Sequence, residues 1–249
     1  RDLQHPGRAL EDLERIANWD PTNPHLPLLL SREVNKLEDW LLTPDLTDMG
    51  AAIRQWSDGE DGVSASDIRK ADLDYLHKVK RFISRVTVHA APKDQALMLL
   101  LNGHMSFICG DLDEARTLLG QVQRSANSSA TVRAQARMDL ILCGVMDSKQ
   151  LTDATRNDVL ALVELVNTAP ELQRRRSVIL DQLHLYLGKK LIERGELAEG
   201  AFLLARSERL YGTIMGWWGT NARIVVFEKA TPTDYDRMIA LLDKPDKSP

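Results

Sequence analysis

The 249-residue chain has little of several things, and each shortage excludes a class of protein. Its two cysteines, Cys109 and Cys143, are too few for a disulfide framework and have no C-x-x-C or Cys/His spacing for zinc, so they are expected to be reduced thiols on helices. No apolar run approaches the roughly 20 residues that span a bilayer. The richest stretch, residues 96–108, is interrupted by Asn102, Gly103, His104 and Ser106. Neither charge sign dominates: 32 basic and 36 acidic residues leave a net charge of −4, which argues against bulk attraction to nucleic acid or anionic lipid. Aromatics make up only 5% of the chain. No G-x-G-x-x-G, G-K-S/T, H-E-x-x-H or G-x-S-x-G string occurs, so nucleotide-binding, zinc-protease and serine-hydrolase readings lack their anchors.

What is abundant is helix-forming. Leu and Ala together number 61 against 25 for Val and Ile, a balance that favours helix over sheet and predicts an all-α protein. Proline and glycine divide the chain into segments with apolar positions at helical spacing. Helices are expected near residues 6–18 and 24–42, joined by the turn Asp20-Pro21-Thr22-Asn23, and then over 47–56. The acidic run Asp58-Gly59-Glu60-Asp61-Gly62 breaks the pattern as a solvated loop, because it lacks the ligand positions of a calcium loop. Ser64 with Asp67 three residues on opens a helix whose apolar face is Leu73, Leu76, Val79, Ile83 and Val86.

Further helices are expected near 92–109, 111–126, 129–146, 152–167, 169–194 and 196–211, as three consecutive hairpins. After them Gly212, Gly216 and Gly219 bracket Trp217-Trp218. Ile224-Val225-Val226-Phe227 is apolar and ambiguous in type, and Thr231-Pro232 opens a last helix to about residue 242.

A period hides in this array. Gly103 stands seven residues before the turn Gly110-Asp111, with Ala115 and Leu119 beyond it. Gly188 stands seven before Gly195-Glu196, with Gly200 and Leu204 at the same offsets. A small residue in each helix lets the pair approach closely, and a glycine allows the left-handed turn. This pattern resembles the tetratricopeptide repeat family over about residues 92–211. Departures are visible too. The aromatic expected early in the first helix is Leu99 in one copy and His184 in the other, and the closing proline is missing. The hairpin around Cys143-Gly144 is degenerate, and Gly110 and Gly195 lie 85 residues apart, which is not a multiple of 34.

The resemblance implies a right-handed α-solenoid: helical hairpins over 1–91, the repeat region over 92–211, and a cap and tail over 212–249. It also implies a scaffold or adaptor that binds a protein or peptide partner on its concave face, without cofactor or catalysis. Carried over by offset, the inner positions are Leu97, Leu100, His104, Phe107 and Ile108 in one copy, and Gln182, Leu185, Lys189, Ile192 and Glu193 in the other. The second set is mixed polar, as a peptide groove is, and Gln182, Lys189 and Glu193 are the expected partner contacts. The first set is mostly apolar, which leaves a groove wall around His104 and a surface covered by the N-terminal helices as alternatives. Trp217 and Trp218 are expected either to cap the last hairpin or to anchor a partner.

Two basic clusters, Lys78/Lys80/Arg81/Arg85 and Arg174-Arg175-Arg176, are expected to be solvated faces paired to neighbouring carboxylates, with an acidic or phosphate ligand as the alternative. The six histidines have no i, i+4 pair for a metal. Two competing classes stay open: a ligand-sensing or regulatory helical domain of a larger protein, and an all-α enzyme with converging carboxylates or histidines. The opening Arg1 fits a cell-envelope protein freed of a signal or anchor, whereas unpaired thiols favour a reducing compartment such as the cytoplasm.

Overall fold

Capping chemistry sets where the helices begin. In the computed structural model, which describes residues 7–46, 64–148, 152–214, 226 and 228–243, no strand occurs among the described residues and the protein is all-α. Helices α1 (Leu10–Trp19) and α2 (Leu26–Leu46) are joined through side-chain turns: the Asp20 carboxylate accepts from Thr22 N–H at 3.0 Å, and Asn23 Oδ1 from His25 N–H at 3.0 Å. Ser64 caps α3 (Ala65–Thr87) by accepting from Asp67 N–H at 3.2 Å, the residue pair that marks this start in the sequence. Pro92 occupies the first turn of α4 (Pro92–Ile108), where its missing N–H leaves no bond unmade. Asp111 caps α5 (Leu112–Arg124), and Ser129 Oγ accepts from Val132 N–H ahead of α6 (Ala130–Asp147).

Thr152 caps α7 (Asp153–Thr168). The next segment, expected as one helix from 169, instead opens as a 3-10 helix, Pro170–Arg175, and becomes α8 only over Arg176–Glu193. Pro170 starts the tighter turn, and buried Leu172 holds it. Helix α9 spans Leu197–Ile214, and a Thr231/Asp234 capping box opens α10 (Pro232–Leu242). The expected helix over 47–56, the acidic run 58–62 and Trp217-Trp218 lie outside the described residues.

The chain divides into two compact units, Arg1–Asp45 with Met49–Asp147, and Leu46–Asp48 with Ser148–Pro249. The first holds α1 to α6, apart from the last residue of α2, and its core is aliphatic and methionine-rich. Leu30, Leu37, Leu76, Ile83, Met98, Met105 and Leu119 are all at most 1% exposed. Four of the five residues expected on the apolar face of α3 are buried, and Leu73 is half-buried. The second unit holds α7 to α10 around Leu162, Leu187, Ala198 and Leu204.

The two hairpins that share a sequence pattern, one in each unit, also share a turn. Gly110 and Gly195 both adopt φ of 83°, where an L side chain is strained. Gly110 N–H donates to Phe107 O and Asp111 N–H to Ser106 O, while Gly195 N–H donates to Ile192 O and Glu196 N–H to Leu191 O. This is the same paired closure of a helix C-terminus in both places. Leu119 sits over Gly103 and Leu204 over Gly188, close enough that a Cβ on either glycine would lie about 3 Å from the leucine.

Candidate functional site

The polar face expected on α8 begins at its 3-10 entry. Leu172 is buried there, and Gln173 Nε2 donates to Asn167 O at 2.8 Å, so the entry is tied to the end of α7. That anchoring leaves Arg174, Arg175 and Arg176 exposed, with no ion pair among the described residues. Arg176 N–H is already bonded to Gln173 O, so the guanidiniums, rather than free amides of a helix end, are what this segment presents. With 3.6 residues per turn, Arg175, Val178 and Gln182 fall on one face. Val178 is 47% exposed and Gln182 is exposed.

Farther along, the expected row is interrupted. Leu185 and Tyr186 are buried, Lys189 is half-buried, and Ile192 packs against the Leu185–Leu204 cluster. Glu193 is exposed again and accepts from Lys190 Nζ at 2.7 Å. The open surface is therefore the first two turns of α8 with its entry, and Lys189 and Glu193 belong to a separate stretch. Asp181, next to Gln182, is buried with Oδ2 unpaired, and loss of water around it raises its pKa to about 6.

The other basic run is divided: Lys78 and Arg81 are exposed with no ion pair among the described residues, and the other two members are paired. Lys80 donates to Glu114 at 2.5 Å, Glu114 also accepts from Ser106 Oγ at 3.0 Å, and Arg85 pairs with Glu14 at 3.2 Å. The Lys80 hydrogen bond chiefly holds the Glu114 carboxyl below its usual range. Lys80 and Arg85 thus meet the expected carboxylates, whereas the arginines at 174–176 do not.

His104 is 15% exposed by its side chain and does not line an open groove. Its Nδ1 lies 2.9 Å from Asp139 Oδ2 and its Nε2 at ion-pair distance, 3.6 Å, from Glu38 Oε2 of α2. Its ring stacks on Phe107. Asp139 is itself braced by Gln135 Nε2 at 2.9 Å. Burial by itself would lower the imidazole pKa, but the charge and hydrogen bond of Asp139, then those of Glu38, outweigh it and hold the ring protonated well above its ordinary 6.5. An imidazolium engaged at both nitrogens has no lone pair to act as a base. Leu100, Phe107 and Ile108 on the same helix are buried.

Among the described residues no group of three His, Cys, Asp or Glu is placed to hold a metal ion. A solvent-open depression lined by Pro21, Leu26, Val86, Ala90 and Met98 has a cavity volume of only about 10 Å³, far below the ~300–1,000 Å³ of ordinary ligand pockets. No described helix is long and apolar enough to cross a membrane.

Sequence offsets found Gln182 and flagged the arginine run but left the two unjoined, although helical spacing alone puts Arg175, Val178 and Gln182 on one face. Glu38 and Asp139, which enclose His104, lie 66 and 35 positions from it in sequence and carry no local signal. Comparison of the chain with protein-family models, with curated proteins and with solved structures finds no match.

Proposed function

We propose that the chain is a non-catalytic scaffold or adaptor, built from tetratricopeptide-like hairpins, that binds a protein partner on the open N-terminal part of α8. The observation that carries this reading is the patch of Arg175, Val178 and Gln182: a cation, an apolar group and an amide on one helix face, all exposed and with no partner among the described residues. Such a mixed row suits a bound segment, since the aliphatic contact adds burial and the polar groups fix orientation. Support for the hairpin reading comes from the repeated turn at Gly110 and Gly195 and the matched leucine-over-glycine contacts.

The test is affinity capture with the full chain and with a V178D/Q182E variant, read by quantitative mass spectrometry. Because exposed substitutions shift stability by less than about 0.5 kcal/mol, the variant is expected to melt like the parent while losing its captured partner. Equal capture by both proteins rejects the surface.

A further inference from the structure

We infer that the α8 surface takes an acidic segment of a partner protein, whose carboxylates lie across Arg174, Arg175 and Arg176 while an apolar side chain meets Val178. This inference rests on the reading of α8 as a partner surface and adds the chemistry of what binds there.

The arginine run itself carries it. In the first unit the basic cluster is divided: Lys80 and Arg85 find Glu114 and Glu14 within the fold, and Lys78 and Arg81, which are not adjacent, are exposed. In the second, three successive guanidiniums are exposed and unpaired among the described residues, although Glu171 stands only three and four positions before Arg174 and Arg175. Three adjacent cations repel one another, and they sit at the positive end of an 18-residue helix, where positive charge is unfavourable. They contribute nothing visible to the fold and raise a local positive potential on a chain whose net charge is −4.

Geometry selects the kind of anion. Successive residues turn by about 120° in a 3-10 helix and about 100° in an α-helix, so the three side chains fan outward rather than converge on a point. A single phosphate needs donors that converge, whereas carboxylates spread along a segment can each meet one guanidinium, as a two-pronged pair where alignment allows. No aromatic side chain interleaves residues 171–182, so the base-stacking platform of a single-stranded nucleic-acid site is missing. Val178 and Gln182 extend the patch along one face, which fits a peptide with an apolar residue beside its acids.

The experiment is fluorescence anisotropy of the full chain with a labelled glutamate-rich peptide carrying one leucine, at low salt and across a salt series. The parent is expected to bind with a steep salt dependence. The variant R174Q/R175Q/R176Q is expected to bind at least about tenfold more weakly, with a flatter salt response. The control K78Q/R81Q/K93Q removes the same number of exposed charges elsewhere and is expected to bind like the parent. Circular dichroism and melting temperature check that all three proteins are folded. Absence of peptide binding at low salt, equal binding by parent and triple-arginine variant, or equal loss in the control overturns the inference. So does tighter binding of a phosphoserine peptide, an RNA oligonucleotide or phosphatidylserine vesicles than of the glutamate peptide. If V178D/Q182E loses its captured partner while the triple-arginine variant keeps it, the acidic chemistry fails and the partner surface stands. If capture survives V178D/Q182E but the glutamate peptide is lost with the arginines, the partner reading fails and the anion surface stands.

Discussion

The two units bury their polar groups in opposite ways. In the first, charge is turned inward and paired. Glu33 and Lys36, 2% and 0% exposed, form an ion pair; Glu33 also accepts from Tyr75 Oη and from Ala9 N–H at 3.2 Å, and Lys36 Nζ donates to Gly7 O at 2.6 Å. Asp72, also buried, takes Arg8 at 3.1 Å, and Asp139 takes His104. These bonds tie the chain entry and α2 to α3, and α4 to α6. In the second unit the defining contact is apolar and close: the α8/α9 pair meets at Gly188 and Gly200, whose missing side chains let backbone face backbone. Its buried carboxylate, Asp181, keeps an unpaired oxygen, and its arginine run at 174–176 faces outward. A network of interior partners specifies an arrangement residue by residue, whereas a glycine contact specifies only closeness and leaves polar side chains for other uses.

The largest effect that separates the units is expected at Glu33. Glu33→Ala would leave the Lys36 ammonium buried without its counter-charge, and removing one partner of such a pair costs about 3–5 kcal/mol. Urea unfolding followed by circular dichroism measures this. A loss below about 1 kcal/mol would mean that the Gly7 carbonyl alone satisfies Lys36 and that the inward network is not what holds the first unit.

Next in size are the glycines. A Cβ on Gly200 would lie 2.7 Å from Gly188 O and 2.6 Å from Ile192 Cγ1, so backbone must move. On Gly103 it would meet only side chains, Leu119 Cγ at 2.9 Å and Leu118 Cβ at 3.3 Å. Gly200→Ala is therefore expected to destabilise by about 1–3 kcal/mol. In Gly103→Ala, a helix-propensity gain of up to about 1 kcal/mol offsets much of a smaller strain. Equal losses at the two sites would show that the hairpins are equally tight.

Two titrations sharpen the comparison further. Burial raises Asp181 to about 6 from 3.8, so the folded state binds the extra proton between those values and stability falls as pH rises through that window. Asp181→Asn is expected to gain about 1 kcal/mol over the parent above pH 6 and almost nothing near pH 4. His104 has the opposite provenance, raised by partners rather than by desolvation. Its stabilisation is fully present below the unfolded value near 6.5 and is lost as pH rises through the higher folded value. His104→Gln is accordingly expected to be about 1 kcal/mol less stable than the parent at pH 6, with the gap closing in alkaline solution. A gap independent of pH would show that the ring acts by packing on Phe107 alone.

How much of this the sequence discloses depends on range. Helix starts at Ser64, Asp111, Thr152 and Thr231 are legible because a cap and its amide lie within three residues, and the turn glycines because only φ of 83° explains them. The paired offsets of Gly103/Leu119 and Gly188/Leu204 are legible as a spacing, and the contact follows from it. The partners of His104 are not, since Glu38 and Asp139 come from other helices and nothing local encodes their approach. The offset from Gly195 gave Gln182, Lys189 and Glu193 one face, but burial of Leu185 and Tyr186 depends on which neighbours cover the middle of α8, a tertiary fact. The 3-10 entry was hidden because Pro170 is compatible with either helix type.

The smallest expected effect tests whether the arginines serve the fold at all. In R174Q/R175Q/R176Q three like charges leave the positive end of α8, and no ion pair among the described residues is broken. A cation at that end is unfavourable by a few tenths of a kcal/mol in an exposed setting, and salt screens it. The variant is expected to be slightly more stable than the parent, by about 0.5 kcal/mol in dilute buffer, with the difference vanishing in high salt. The sign matters more than the size. A surface group that lowers stability in isolation makes sense where an anion is to be met, whereas a measurable loss on removal, unaffected by salt, would make the arginine stems packing elements of the α7–α8 junction. The outward charge of the second unit would then be structural, and the contrast with Lys80 and Arg85 would collapse.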